Sequence, residues 1–365
     1  VAIHPYLDAS RPISKPEIDS LKRHLSIFTA AVLVVLFGSL WNGGTSFAQT
    51  KMPASLAGTI PPRPAGRIAF IRDGDIWVMD ADGTRQQRVA EVKNADGRIS
   101  WAPDGKRIAY TRAGKVQFQE PDNSGGVKKI YDVFVCFLDS AAVGNTMWWR
   151  RLTMDVGGRD PEWSADGRTI YFTRDMNANI VNASTPNYQI CSMDDEGGSQ
   201  VILRKDWQFM KEFFMNPSVS PKGDVAFMHM YENKPQGLAV LNTANFMRNI
   251  DSVKLQTKKM LNCISPAWSP DGKWLAYVRN DLQKSGLFVA SADMKTTYSI
   301  YEPPASTSMR PIAPSWSPDG KWLTFSTHDG SVYICDITGS GLKRLTGPGG
   351  DWAPAWSKAP KTTAK

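Results

Sequence analysis

The chain has 365 residues, with 43 Lys and Arg against 35 Asp and Glu and a formal net charge of +8. At 42% hydrophobic and 21% charged residues it is neither disordered nor collagen-like, and four cysteines at this length exclude a disulfide-dense scaffold. Thirteen Trp, 24 Pro and 29 Gly point to a turn-rich, aromatic-rich β protein rather than a helical bundle.

The first predicted element is an export segment. Lys22, Arg23 and His24 precede an apolar run over residues 27–40, and Ser46-Phe47-Ala48 offers small residues at −3 and −1 of a cleavage site. The run is shorter than the roughly 20 residues that span a bilayer comfortably. A signal peptide over 1–48 is therefore expected, with a retained N-terminal anchor as the alternative. The first residue is Val1, and the true start is expected nearer Lys22. The remainder is expected in the periplasm or secreted. Residues 49–65, with Pro53, Pro61, Pro62 and Pro64, lack periodicity and read as a linker. No Lys/Arg run interleaved with aromatics supports nucleic-acid binding.

Next comes Gly66-Arg67-Ile68-Ala69-Phe70, which reads as a strand, followed by Asp75-Ile76-Trp77-Val78-Met79-Asp80. A repeat then begins. Ser100-Trp101-Ala102-Pro103-Asp104-Gly105 recurs as Glu162-Trp163-Ser164-Ala165-Asp166-Gly167, Ala267-Trp268-Ser269-Pro270-Asp271-Gly272 and Ser315-Trp316-Ser317-Pro318-Asp319-Gly320. Ser218-Val219-Ser220-Pro221-Lys222-Gly223 is a degenerate copy and Ala355-Trp356-Ser357-Lys358 a truncated one. The intervals between the Trp positions are 62, 56, 49, 48 and 40 residues, in the range of propeller blades. Each unit reads as four strands: Pro-x-Trp-Ser, an Asp-Gly turn, a short aromatic strand such as Ile108-Ala109-Tyr110, a β-branched third strand such as Val332-Tyr333-Ile334, and a fourth such as Lys343-Arg344-Leu345-Thr346. The last copy has a first strand only, and the globular part opens on a second strand. The two ends complement each other, so six blades are predicted over 66–358, all β, with residues 353–358 sharing a blade with 66–91 and a basic tail over 359–365.

These units resemble the TolB-type, WD-repeat-like β-propeller repeat, with its Trp-Ser-Pro-Asp-Gly signature. The resemblance implies a six-bladed propeller used for protein contacts in the cell envelope. The α/β domain that precedes the propeller in TolB is not expected here, since 17 residues (49–65) stand between leader and first blade. The resemblance extends to propellers of serine peptidases, but no peptidase domain is expected.

Candidate sites follow from recurring positions. Two residues past the second-strand aromatic stand Arg72, Arg112, Arg174, His229, Arg279 and Thr327. Four Arg and one His on one face would form a positive collar for carboxylate or phosphate, with interblade ion pairs or aromatic stacking as the alternative. The residue before the motif Trp is small except at Glu162, where a carboxylate facing the channel would hold a cation or a donor, with a solvated or Arg-paired Glu as the favoured alternative. Trp207, Phe209, Met210, Phe213 and Phe214 fall in a connector before blade three and are expected to form an exposed apolar partner site, the alternative being a short helix against that blade. Insertions over 113–132 and 175–187 crowd the same face. Asp80-Ala81-Asp82-Gly83 lacks the closing Glu of a calcium loop and reads as a turn. No His or Cys cluster has zinc spacing, and no metal or cofactor is expected. Cys136, Cys191, Cys263 and Cys335 are expected to be buried and unpaired. The expectation is an exported, monomeric, non-catalytic scaffold holding an envelope protein or anionic ligand on the loop-rich face. The alternative is a glycan lyase or hydrolase using Glu162, Asp160 and Asp351.

Overall fold

The structure, a computed structural model, describes residues 50–119, 125–139, 148–154, 157–178, 186–203, 212–231, 234–242, 262–280, 285–304 and 310–358. The leader, the 27–40 run and the tail 359–365 lie outside them. Among the described residues no helix is long and apolar enough to cross a membrane.

The chain enters through β1 (Thr50–Lys51) and one helical turn, α1 (Ala54–Ala57), then β2 (Arg67–Arg72), β3 (Asp75–Asp80) and β4 (Gln87–Ala90). Blade one is β5 (Ala95–Trp101), β6 (Arg107–Gln119), β7 (Gly125–Phe137) and β8 (Trp149–Arg151). Blade two is β9 (Gly158–Trp163), β10 (Thr169–Asp175), β11 (Tyr188–Asp194) and β12 (Val201–Ile202). Blade three shows β13 (Glu212–Val219), β14 (Asp224–Tyr231) and β15 (Lys234–Asn242) among the described residues. Blade four is β16 (Cys263–Trp268), β17 (Trp274–Asn280), β18 (Ser285–Ser291) and β19 (Thr297–Tyr301). Blade five is β20 (Pro311–Trp316), β21 (Trp322–Thr327), β22 (Ser331–Asp336) and β23 (Lys343–Arg344). Blade six joins β24 (Trp352–Trp356) to β2, β3 and β4, as the complementary ends predict. The fold is thus an all-β, six-bladed propeller of antiparallel blades. Its inner strands touch in the closed order β5, β9, β13, β16, β20, β24 and back to β5.

The motif explains the turns. Ser164, Ser269 and Ser317 donate Oγ–H to Asp166, Asp271 and Asp319 at 2.6, 2.7 and 2.5 Å. The same oxygens accept the backbone N–H of Thr169, Trp274 and Trp322. The serine thus ties both sides of the turn, and the following Gly takes the left-handed φ that closes it.

The core is a set of layers between neighbouring blades. Ala109, Val133 and Val135 of blade one pack with Trp163 and Phe172 of blade two, and Trp322 and Val332 of blade five pack with Ile68 and Phe70 of blade six. Second strands are covered on both sides, so Ile68, Ala69, Phe70 and Ile71 are all buried in succession. Backbone bonds stitch the layers: Trp163, Trp268 and Trp356 donate N–H to Ser100, Ser218 and Ser315 of the preceding blades at 3.1, 2.9 and 2.9 Å. The small residue before the motif Trp therefore gives room and, where it is Ser, also accepts a hydrogen bond.

Two expectations change. Residues 113–119 and 125–132 are strand rather than loop: β6 and β7 pair antiparallel from Arg107–Phe137 to Gln119–Gly125. The stretch read as a linker docks onto the propeller. Thr50 and Lys51 pair in parallel with Tyr298 and Ser299, adding a fifth strand to blade four. Met52 and Ala57 are buried in the layer between blades four and five, and Lys321 donates to the Ala57 carbonyl at 2.6 Å. The prolines mask this docking in the sequence, because a two-residue strand carries no periodicity.

A candidate binding site in the channel

Every inner strand carries a bulge. In five blades it holds one residue at φ between 48° and 55° followed by proline: Asp160-Pro161, Asn216-Pro217, Ser265-Pro266, Ala313-Pro314 and Ala353-Pro354. Each pair sits opposite the second-strand aromatic, where the register slips. Blade one differs. Gly97 (φ 67°) takes the left-handed place, and two residues, Arg98 and Ile99, stand where the others have one proline. A Cβ on Gly97 would lie 2.4 Å from an Asp160 carboxylate oxygen, so this bulge needs glycine.

The extra residue turns into the channel. Arg98 Nη1 donates to the Pro266 carbonyl at 2.9 Å. Blades one and four stand three places apart in a ring of six, so this side chain crosses the channel. Above it a cavity of about 510 Å³ is lined by the motif residues Trp101, Trp268, Trp316 and Trp356 and by the turn prolines Pro103, Pro221, Pro270 and Pro318. Its mouth is therefore on the Asp-Gly turn face. Four charged residues line it: Arg98, Asp104, Glu162 and Lys358. Asp104 accepts from Arg107 Nε at 2.7 Å. Glu162 lies 3.4 Å from Lys358 Nζ, which also donates to the Trp163 carbonyl at 2.9 Å.

Glu162 thus lines the cavity, with Lys358 as its cation. The collar residues do not line this cavity. Arg72 forms a two-pronged pair with Asp351, both contacts 2.7 Å, and stacks over Phe70 and Trp77. That hydrogen-bonded carboxylate raises the Arg72 pKa against the opposing effect of burial. The Arg112 guanidinium lies 5.7 Å from the Phe134 ring centre. Arg174 is 3.4 Å from Gln200. His229 is buried against Phe214 and 3.6 Å from Glu212. Arg279 pairs with Cys263 across the blade-four ladder. Arg72 and Arg112 stand over aromatics of their own blades, and the Arg72 ion pair is made within blade six.

The apolar connector is corrected in part. Phe213 and Phe214 belong to β13 and are buried, with Phe214 packed edge-on against Phe227 at 5.0 Å. They are core because an inner strand is covered by blades on both sides. Trp207, Phe209 and Met210 lie outside the described residues. The carboxylates of the glycan-enzyme alternative are each paired with a different cation: Glu162 with Lys358, Asp160 with Arg159 at 3.0 Å, and Asp351 with Arg72. Gly83 N–H closes a turn onto the Asp80 carbonyl at 2.9 Å. The four cysteines are buried, and no disulfide joins them. Among the described residues no group of three His, Cys, Asp or Glu could hold a metal ion. Arg98 escaped the reading of the motif. Its signal was present as the one copy lacking a proline two places before the motif Trp.

Fold and channel together define a six-bladed propeller with an axial cavity. A model of the TolB beta propeller domain matches residues 177–364, just over half of the sequence, and the chain belongs to that family. An uncharacterized protein of Agrobacterium fabrum (strain C58) is 28% identical over 190 residues, 49% of this chain and 53% of that protein. The chain thus spans about half the length of this curated relative. TolB from Acinetobacter baumannii superposes with a TM-score of 0.61 at 21% identity, over 82% of this chain and 68% of that one. A TolB-like protein of Agrobacterium tumefaciens gives 0.55 at 15% identity, over 81% and 92%. At these identities the likeness is one of fold.

Proposed function

We propose that this chain is a non-catalytic binding scaffold that receives its ligand or partner in the channel mouth on the turn face. The carrying observation is the cavity of about 510 Å³ enclosed by the inner strands and rimmed by the turn prolines, a size and character suited to binding. The separate engagement of Glu162, Asp160 and Asp351 supports binding over glycan chemistry, which needs acids that converge on one bond. The order of charge, apolar run and small residues over 22–48 supports work in the cell envelope. The site stands on the face opposite the one that insertion lengths favour.

Ala165 tests this reading. It is exposed and lines the cavity where other motif copies carry proline. Ala165→Trp places an indole in the mouth without touching the core. Species captured from envelope extract by the wild type and by Leu342→Ala, a distant exposed position, are expected to be lost by Ala165→Trp. Undiminished capture by Ala165→Trp would refute a channel site.

A further inference from the structure

The charges in the channel are unequal in their pairing. Asp104 is held by Arg107, and Glu162 by Lys358. Asp160, which accepts the Arg98 backbone N–H, is held by the Arg159 side chain. Arg98 alone among the charged residues lining the cavity has no ion pair among the described residues; its side-chain bond goes to the neutral Pro266 carbonyl. A half-buried guanidinium met only by a carbonyl favours an anion. It carries five donors in a planar fork that fits a carboxylate with two parallel bonds. The turn prolines above it, Pro103, Pro221, Pro270 and Pro318, favour an apolar body.

Resting on the channel reading, we propose that Arg98 forms the floor of the site and selects ligands that present a carboxylate on an apolar body. The selectivity arises from the bulge. One residue more than in the other five blades, made possible by Gly97, projects an arginine where they have a proline. The carboxylate meets the fork end-on, while the apolar part of the ligand lies among the turn prolines. The neutral amide of the same ligand leaves the guanidinium without its counter-charge.

The test uses the full chain and two probes, 3-phenylpropionate and 3-phenylpropanamide, with binding followed by tryptophan fluorescence. The acid is expected to bind about 10- to 100-fold more tightly than the amide, the range for a hydrogen bond to a charged group. Arg98→Met is expected to bring the two together. Arg98→Lys, which keeps the charge and loses the fork, is expected to fall between. A second arm separates sources of the carboxylate. Capped dipeptides Phe-Glu and Phe-Gln are compared in the same way. A Glu preference of similar size assigns the carboxylate to a polypeptide side chain, and a preference confined to the free acid assigns it to a small molecule. Equal binding of acid and amide by the wild type overturns the proposal. If that equal binding is lost in Ala165→Trp, the channel reading survives. A preference that persists in Arg98→Met, or no binding of either probe, also overturns the proposal, while Ala165-dependent capture still judges the channel separately.

Discussion

Replacing Trp356 by alanine tests the closure of the ring. Trp356 ends β24, the strand that joins the two ends of the propeller, and is 3% exposed. It packs between blades five and six with Ile68, Phe70 and Trp322. Its indole N–H donates to the Ala65 carbonyl at 2.9 Å and its backbone N–H to Ser315 Oγ at 2.9 Å. Truncating a buried Trp costs about 3–5 kcal/mol, and losing the indole bond adds about 1 kcal/mol. The expected loss is then about 4–6 kcal/mol, a large share of the roughly 5–15 kcal/mol that holds a typical domain. Ser315→Ala leaves the Trp356 N–H without its acceptor and is expected to cost about 1–3 kcal/mol. Leu342→Ala, at a 44% exposed position, is the control and is expected within about 0.5 kcal/mol of wild type. Urea unfolding followed by circular dichroism gives all three. A Trp356→Ala protein within about 1 kcal/mol of the control would show that β24 does not seal the ring.

Two further outcomes follow from titratable groups. Burial pushes the Cys136 and Cys335 thiols up to about 12, so both stay protonated at pH 8; a thiol reagent is expected to count none of the four cysteines in the native chain and all four in guanidinium, and stoichiometric labelling of the native chain would contradict this. The Ser164 hydroxyl and the Arg168 N–H hold the Asp166 carboxyl below its usual value. A depressed carboxyl stabilises the fold above the ordinary carboxylate range and loses that contribution as pH falls from about 4 toward the folded value. Ser164→Ala is therefore expected to flatten the fall of the urea midpoint between about pH 4 and the acid limit, and an unchanged slope would count against the turn as its source.

The fold was legible because its signals are local and repeated. Each Trp-Ser-x-Asp-Gly copy encodes a strand end, a serine-tied turn and the next strand's start, and the two incomplete ends encode their own pairing. What stayed hidden depends on packing between elements distant in sequence. Thr50 and Lys51 form a strand only because the edge of β19 is there to receive them. Phe213 and Phe214 resemble a sticky loop by composition, yet the neighbouring blades cover them. The Arg72 series resembles a collar until Asp351, Phe134 and Glu212 are found beside its members. Distances of this kind are not written in spacing.

The contrast between repeated and unrepeated positions bears on where the site lies. A position that recurs in every blade is answering a demand every blade shares: an interblade bond, a turn, an aromatic covered on both sides. Arg72 is such a position, and its guanidinium fastens the loop that leads into the closing strand. Specific recognition needs a place where the sixfold pattern is broken. The breaks can be read directly: Glu162 where other blades have Ser or Ala, Ala165 and Lys358 where the other four have Pro, and Arg98-Ile99 in place of a single Pro. All five residues line the same cavity. None is needed to build a blade, since the remaining copies build theirs without them. Their convergence on one mouth is the strongest reason to seek the ligand in the channel rather than on the loop-rich face.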